Sequence, residues 1–210
     1  MEKDKLYIYE QIFSTKALGP GERYVIWLQG CIHDCKGCIA PETHNLKAGG
    51  YYISIEEIVE EIKKNRNLRG ITVSGGEPFL QAKNLKKLFI QIEKLHLDII
   101  CYSGYILEEL ENDILEGTKD LLKYIDILID GKYIEEFNTG EYLRGSSNQR
   151  IHHLKNTYKI QEKKMNEYKN RAIEISFNSK NDILITGVPP KTWKQDWKKI
   201  KEAIYKGEQK

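Results

Sequence analysis

Residues 30–38 read GCIHDCKGC and place three cysteines, Cys31, Cys35 and Cys38, in C-x3-C-x2-C spacing. An apolar run, YVIWL at 24–28, stands just before them, so the pattern predicts a strand that ends in a tight cysteine loop. Such a loop can turn three thiolates inward around one inorganic centre. Closed structural zinc sites and ordinary iron–sulfur clusters take four protein ligands. Three ligands leave one coordination position open, which marks a site that does chemistry. A structural zinc site of Cys3His type stays open at this point, because His33 and His44 lie close in sequence. A disulfide framework does not fit. The remaining cysteine is Cys101, the first residues lack a secretory apolar core, and cytosolic thiols stay reduced.

Residues 70–78 read GITVSGGEP, a β-branched run (Ile71, Thr72, Val73) leading into Ser74, Gly75, Gly76, Glu77 and Pro78. Two glycines at the C-terminal end of a strand let the backbone come close to a ligand, since no Cβ intervenes. A plain strand-to-helix turn carries the same punctuation. Beside the cysteine triplet, the plain turn is the weaker reading.

Taken together, the cysteine triplet and SGGEP resemble the radical S-adenosylmethionine (SAM) enzymes. The resemblance implies a [4Fe-4S] cluster on Cys31, Cys35 and Cys38, with the SAM amino and carboxylate groups on the open iron. It also implies that the loop of Ser74, Gly75, Gly76, Glu77 and Pro78 meets the SAM amino group. More narrowly, GPGERYVIWLQGCIHDCKGCIAPETHN (19–45), CYSGYILEEL (101–110), ILIDGKY (127–133) and LRGSSNQR (143–150) resemble the activating enzymes of anaerobic ribonucleotide reductase. This narrower resemblance spans about residues 5–155. It implies roles in SAM binding or site closure for Ser103, Asp130, Lys132, Arg144, Ser146 and Asn148. The implied substrate is a glycine Cα–H in a glycyl-radical enzyme, the catalytic subunit of the reductase. A reduced flavodoxin or ferredoxin-type protein is the implied electron donor. One position departs from the family: Ile39 follows the third cysteine, where an aromatic usually stands near the SAM adenine.

Along the chain, β-rich segments at 6–13, 24–29, 69–74, 97–102 and 125–129 alternate with helical patterns. Ser54 and Glu57 form a capping box ahead of the apolar face Ile55, Ile58, Val59 and Ile62. A second helix carries Leu80, Leu85, Leu88, Phe89, Ile92 and Leu95, and two short pieces follow at 106–115 and 119–124. Strands alternating with helices predict a parallel sheet with right-handed crossovers. Ligands collect beyond the C-terminal strand ends of such sheets, where the cysteines, SGGEP, Ser103-Gly104-Tyr105 and Asp130-Gly131-Lys132 all fall. The expected fold is α/β: a partial, open β/α barrel of the radical SAM type over residues 1–155, with a small C-terminal α+β extension over 156–210. Cys101 is expected as a buried strand thiol, and His152-His153 as surface.

The extension opens with a charged stretch at 159–171. A hairpin follows from 172–177 and 183–186, stopped by Pro189-Pro190, and then a basic helix with Trp193, Trp197, Ile200 and Ile204 at helical spacing. Minimal members of the resembled family stop near residue 155. Packing against the barrel is the expectation for this tail, and a docking surface is the alternative.

With 33 basic and 31 acidic residues among 210, the net charge is +2, and nothing global points to nucleic acid or a membrane surface. No apolar run approaches the ~18–20 residues of a membrane span, so a cytoplasmic protein is expected. Three functions follow: the activase just described, a radical SAM enzyme acting on another peptide or small molecule, and a zinc-stabilised binding module. Metal content separates the last from the other two.

Overall fold

The computed structural model describes residues 4–156, 171–177, 183–190, 192–193 and 195–199. Seven strands build one mixed sheet. They are β1 (Lys5–Thr15), β2 (Glu22–Leu28), β3 (Tyr51–Ser54), β4 (Leu68–Gly75), β5 (Asp98–Tyr102), β6 (Ile127–Asp130) and β7 (Arg150–His153), in the spatial order β3-β1-β2-β4-β5-β6-β7. The inner four, β2, β4, β5 and β6, run parallel, as the alternating pattern predicts. The outer three are antiparallel to their neighbours, which differs from an all-parallel sheet. A six-residue turn between β1 and β2 is too short for a crossover, which takes a dozen residues or more, and only an antiparallel pair can follow. The sheet ends at β3 and β7 and does not close.

Helices cover one face. They are α1 (Ile55–Lys64), α2 (Ala82–Lys94) and the short α3 (Leu107–Glu111) and α4 (Thr118–Leu122). The capping box forms as read: the Ser54 hydroxyl accepts from Glu57 N–H, and the Glu57 carboxylate accepts from Ser54 N–H. Pro78 opens a short 3-10 turn (Pro78–Gln81), so α2 begins later than its first apolar residues suggest. Strand alternation sends Tyr24, Ile26, Leu28, Ile71, Val73, Ile99 and Cys101 toward the helices, where they pack with Ile58, Ile62, Leu85, Leu88, Phe89 and Ile92. Cys101 is fully buried there, and burial pushes its thiol well up.

The opposite face carries Arg23, Val25 and Trp27 of β2, Thr72 of β4, Ile100 and Tyr102 of β5 and Ile127 and Ile129 of β6, and helices α1 to α4 lie on the other side. Leu18 of the β1–β2 turn and Leu143 cover parts of it instead. Arg23 is fully buried, its guanidinium 2.7 Å from the Asp98 carboxylate, and it donates to Thr72 Oγ1 at 2.7 Å. Gly70 makes room for this pair, because a Cβ there would stand 2.2 Å from Asp98 O.

The C-terminal strands β8 (Ile173–Phe177) and β9 (Ile183–Gly187) pair antiparallel as the expected hairpin. Trp193 and Trp197 stack with ring centroids 5.5 Å apart. The charged stretch 157–170, the hairpin turn 178–182, Ile200 and Ile204 lie outside the described residues. Strands β3 and β7 were not legible beforehand. Both are four residues long and sit at the sheet edges, where alternation over so short a span carries little signal. Among the described residues no helix is long and apolar enough to cross a membrane.

Asp98→Ala strands the buried Arg23 guanidinium and is expected to lower unfolding stability by ~3–5 kcal/mol in urea titration. Replacing both partners, Arg23→Met with Asp98→Leu, is expected to recover most of that loss.

Candidate functional site

The cysteine loop leaves the C-terminal end of β2 and is pinned at its root by backbone pairing. Gly30 N–H donates to Thr43 O at 2.7 Å, and Cys31 N–H to His44 O at 3.1 Å. Inside the loop, Cys38 N–H donates to Cys35 O at 3.1 Å. Gly30 and Gly37 take positive φ, 102° and 73°, which lets the chain reverse tightly enough to aim all three thiols into one cavity. Burial pushes the Cys31 and Cys38 thiols up, and the nearby Glu77 carboxylate adds to the rise at Cys31.

The SGGEP loop passes directly beneath this root. Gly76 N–H donates to Leu28 O and Glu77 N–H to Gly30 O, both at 2.8 Å. A Cβ on Gly76 would stand 2.1 Å from Gly30 O, and one on Gly75 would stand 2.3 Å from Leu28 N. In this structure the close approach that demands two glycines is that of one loop to another. Both glycines also line the cavity beside Ser74.

Glu77 is 1% exposed, and its carboxylate gathers four donors. Oε1 accepts from Phe79 N–H and the Ser103 hydroxyl, both at 3.0 Å, and Oε2 accepts from Gly104 N–H and His33 Nε2, both at 2.7 Å. Three loops meet on it: the cysteine loop through His33, the β4 loop that carries it, and the β5 loop through Ser103 and Gly104. The His33 ring packs edge-on against Tyr105, with centroids 4.6 Å apart, and a Cβ on Gly104 would stand 2.3 Å from that ring. This arrangement removes His33 Nε2 from the zinc alternative.

The cavity is bounded by the three cysteines, His44, Ile39, Ser74, Gly75, Gly76, Ser103 and Gly104, and farther out by Leu18, Trp27, Tyr102, Gly131, Tyr133, Gly145, Gln149, Gly187 and Val188. Of the remaining residues singled out in the sequence, Glu77 and Pro78 lie behind the lining. Asp130, Lys132, Arg144, Ser146 and Asn148 brace the site rather than line it. Asp130 is fully buried; its carboxylate accepts from Leu107 N–H at 2.6 Å and from Arg150 Nε at 3.1 Å. Lys132 contributes its carbonyl, which accepts from Asn148 Nδ2 at 2.8 Å. Arg144 donates to Gln149 O, and Ser146 Oγ accepts from Ile134 N–H. Gln149 knots this segment: its side chain donates to Gly131 O and accepts from Gly145 N–H. His152, expected as surface, is half-buried, with Nε2 3.0 Å from Asp130.

Sequence reasoning missed Trp27, Tyr102 and Val188 as cavity residues. Strand parity held the signal for the first two, since they fall on the face opposite Ile26 and Cys101.

The three thiols share one cavity. Among the described residues, no three His, Cys, Asp or Glu side chains are placed to hold a single metal ion. Zinc needs its donors ~2.0–2.3 Å from one centre. A cluster that takes one thiolate per iron suits three thiols on one cavity.

This arrangement is that of a single-cluster iron–sulfur protein, and the family model described as 4Fe-4S single cluster domain matches residues 17–152. The anaerobic ribonucleoside-triphosphate reductase-activating protein of Vibrio cholerae is 38% identical over 154 residues, covering 69% of this chain and 96% of the relative. Its namesake from Haemophilus influenzae is 36% identical over 157 residues, 70% of this chain and 98% of the relative. That of phage T4 is 30% identical over 151 residues, 68% and 92%. The chain belongs to this family of activating proteins within the single-cluster 4Fe-4S domains.

Glu77→Ala leaves His33, Ser103 and two backbone N–H groups without their acceptor. It is expected to lower stability by about 3 kcal/mol or more and to reduce the iron retained after reconstitution. Because burial raises the Cys31 and Cys38 thiols, iron must displace protons that hold on above the ordinary thiol range. Iron incorporation is expected to rise as pH is raised from about 7 to 9, measured by iron and sulfide content.

Proposed function

We propose that the chain is a radical SAM activase that generates a glycyl radical on anaerobic ribonucleotide reductase, with a partial, open β/α barrel of the radical SAM type as its core. The observation that carries this reading is the meeting, in one cavity, of three thiols from the β2 loop, Ser74–Gly75–Gly76 from the β4 loop and Ser103 from the β5 loop. In this reading Cys31, Cys35 and Cys38 hold a [4Fe-4S] cluster. Held there, the cluster would supply the one-electron reduction of the SAM sulfonium, the chemistry by which such enzymes remove hydrogen from a glycine Cα.

The chain's own contribution is orientation and exclusion. The Glu77 carboxylate fixes the cysteine loop against the β4 and β5 loops, so the thiols cannot drift apart. Ser74 lines the cavity beside the cysteines, where its hydroxyl suits the polar part of a ligand, while Ser103 lines it with its hydroxyl committed to Glu77. The apolar lining farther out suits the adenosine end and keeps water from the reacting bond. The relatives' names support the reductase as partner. Exposed apolar side chains on the surrounding loops, Ile32 and Ile39 in the cysteine loop and Ile134 and Phe137 beyond β6, suit the docking of a polypeptide. A reduced flavodoxin or ferredoxin-type protein is the proposed electron donor.

Anaerobic reconstitution followed by reduction is expected to give a [4Fe-4S]⁺ paramagnetic resonance signal that shifts on adding SAM. 5′-Deoxyadenosine should form, and a glycyl radical should appear on the added reductase catalytic subunit. Cys35→Ala is expected to lose the cluster signal and all SAM cleavage. Stoichiometric zinc with no SAM cleavage would overturn the proposal, and SAM cleavage without radical transfer to the reductase would redirect it to another substrate.

A further inference from the structure

The family model ends at residue 152, and 151–157 aligned residues already use 92–98% of the Vibrio, Haemophilus and phage relatives. The chain beyond that span nevertheless comes back to the cavity. Gly187, the last residue of β9, and Val188 just after it both line the cavity. Val188 is 7% exposed and packs with Leu18 and Val25 on the sheet face opposite α1 to α4, next to Trp27 and Tyr102. Leu18, Trp27, Tyr102 and Val188 thus form the apolar part of the cavity, while the serines and thiols form the polar part. A broad apolar and aromatic patch beside a few polar groups is the lining that a flat heterocycle takes.

This segment is held by built contacts. The Arg171 guanidinium donates to Arg144 O at 2.8 Å, Gly145 O at 3.2 Å, Glu141 O at 3.1 Å, Asn138 Oδ1 at 2.7 Å and Pro189 O at 2.9 Å. It therefore clamps the turn that carries Gly145, itself a lining residue, to the stretch that carries Val188. On the far side, Lys16 N–H donates to the Glu174 carboxylate at 2.8 Å. Gly187 takes φ +126°, and a Cβ there would stand 2.3 Å from Ala172 O, so the strand end needs glycine to reach the cavity.

We propose that the described parts of the C-terminal segment, 171–177 and 183–190, form a wall of the cofactor cavity, with Val188 packing on the nucleoside end of the ligand and Arg171 holding the wall in place. An apolar contact in the same cavity as Ile39 thus comes from chain outside the family core. This inference rests on the reading of the cavity as a SAM site.

The test uses the full chain with its cluster reconstituted, SAM binding by equilibrium dialysis, and the rate at which a chelator strips iron. Val188→Trp is expected to weaken SAM binding by at least about tenfold by filling the cavity, with iron content unchanged. Val188→Ala, which does not strain the fold, is expected to weaken it by about tenfold. Arg171→Ala is expected to speed iron loss several-fold, because the wall no longer shields the cysteine loop. SAM affinity within about twofold of the parent in both Val188 variants, with iron loss from Arg171→Ala unchanged, would overturn the inference and leave the tail a stabilising addition. If the parent chain holds iron but binds no SAM, the cofactor reading falls separately. The wall is then judged on iron loss alone: faster stripping in Arg171→Ala sustains it, and an unchanged rate overturns it.

Discussion

The site depends on a single buried carboxylate. Glu77 sits at the C-terminal end of β4 with no access to water, where an unpaired carboxylate is costly. It is stable there because His33, Ser103 and two backbone N–H groups all donate to it. The same constraint that makes the burial tolerable makes the arrangement specific. Each donor comes from a defined place, so the cysteine loop, the β4 loop and the β5 loop are held in one register. Loops at strand ends are ordinarily the mobile parts of an α/β sheet. Here they share an acceptor and become a rigid mouth.

Around that mouth the sheet is built asymmetrically. Helices α1 to α4 bury one face with aliphatic side chains in the usual way. The other face carries a buried Arg23–Asp98 pair, two aromatic residues and, among the described residues, a covering of loops. Irregular covering leaves space, and the space lies at the C-terminal strand ends where the thiols are. The segment after β6 and the C-terminal hairpin complete the enclosure through Gln149 and Arg171, two side chains whose work is to tie backbone to backbone.

Local motifs were the most legible part of the sequence. The Ser54–Glu57 capping box, the apolar faces of α1 and α2 and the parallel strands each declare themselves within a few residues. The cysteine triplet and SGGEP were likewise read as neighbours at strand ends, because parallel topology brings all C-terminal ends to one edge. For Asp130 and Arg144 the resemblance implied SAM binding or site closure, and the sequence alone does not say which. A charged residue in a terminal loop looks the same in sequence whether it faces a cavity or a neighbouring backbone. Asp130 faces Arg150 and the first turn of α3.

By itself the sequence determined β1, the four inner strands and the helices between them, the grouping of the three thiols, and the small residues that let the loops cross. Those properties are local: a strand's period, a cap, a glycine where a Cβ would not fit. Only the tertiary structure decided that His33 serves the Glu77 knot and not a metal. It alone showed that Gly76 answers to the Gly30 carbonyl, and that Val188, far along the chain, returns to the cavity. Each of these is a pairing between distant segments. Such a pairing is selected by which buried donor finds which acceptor once the chain has collapsed, and no spacing along the sequence records it.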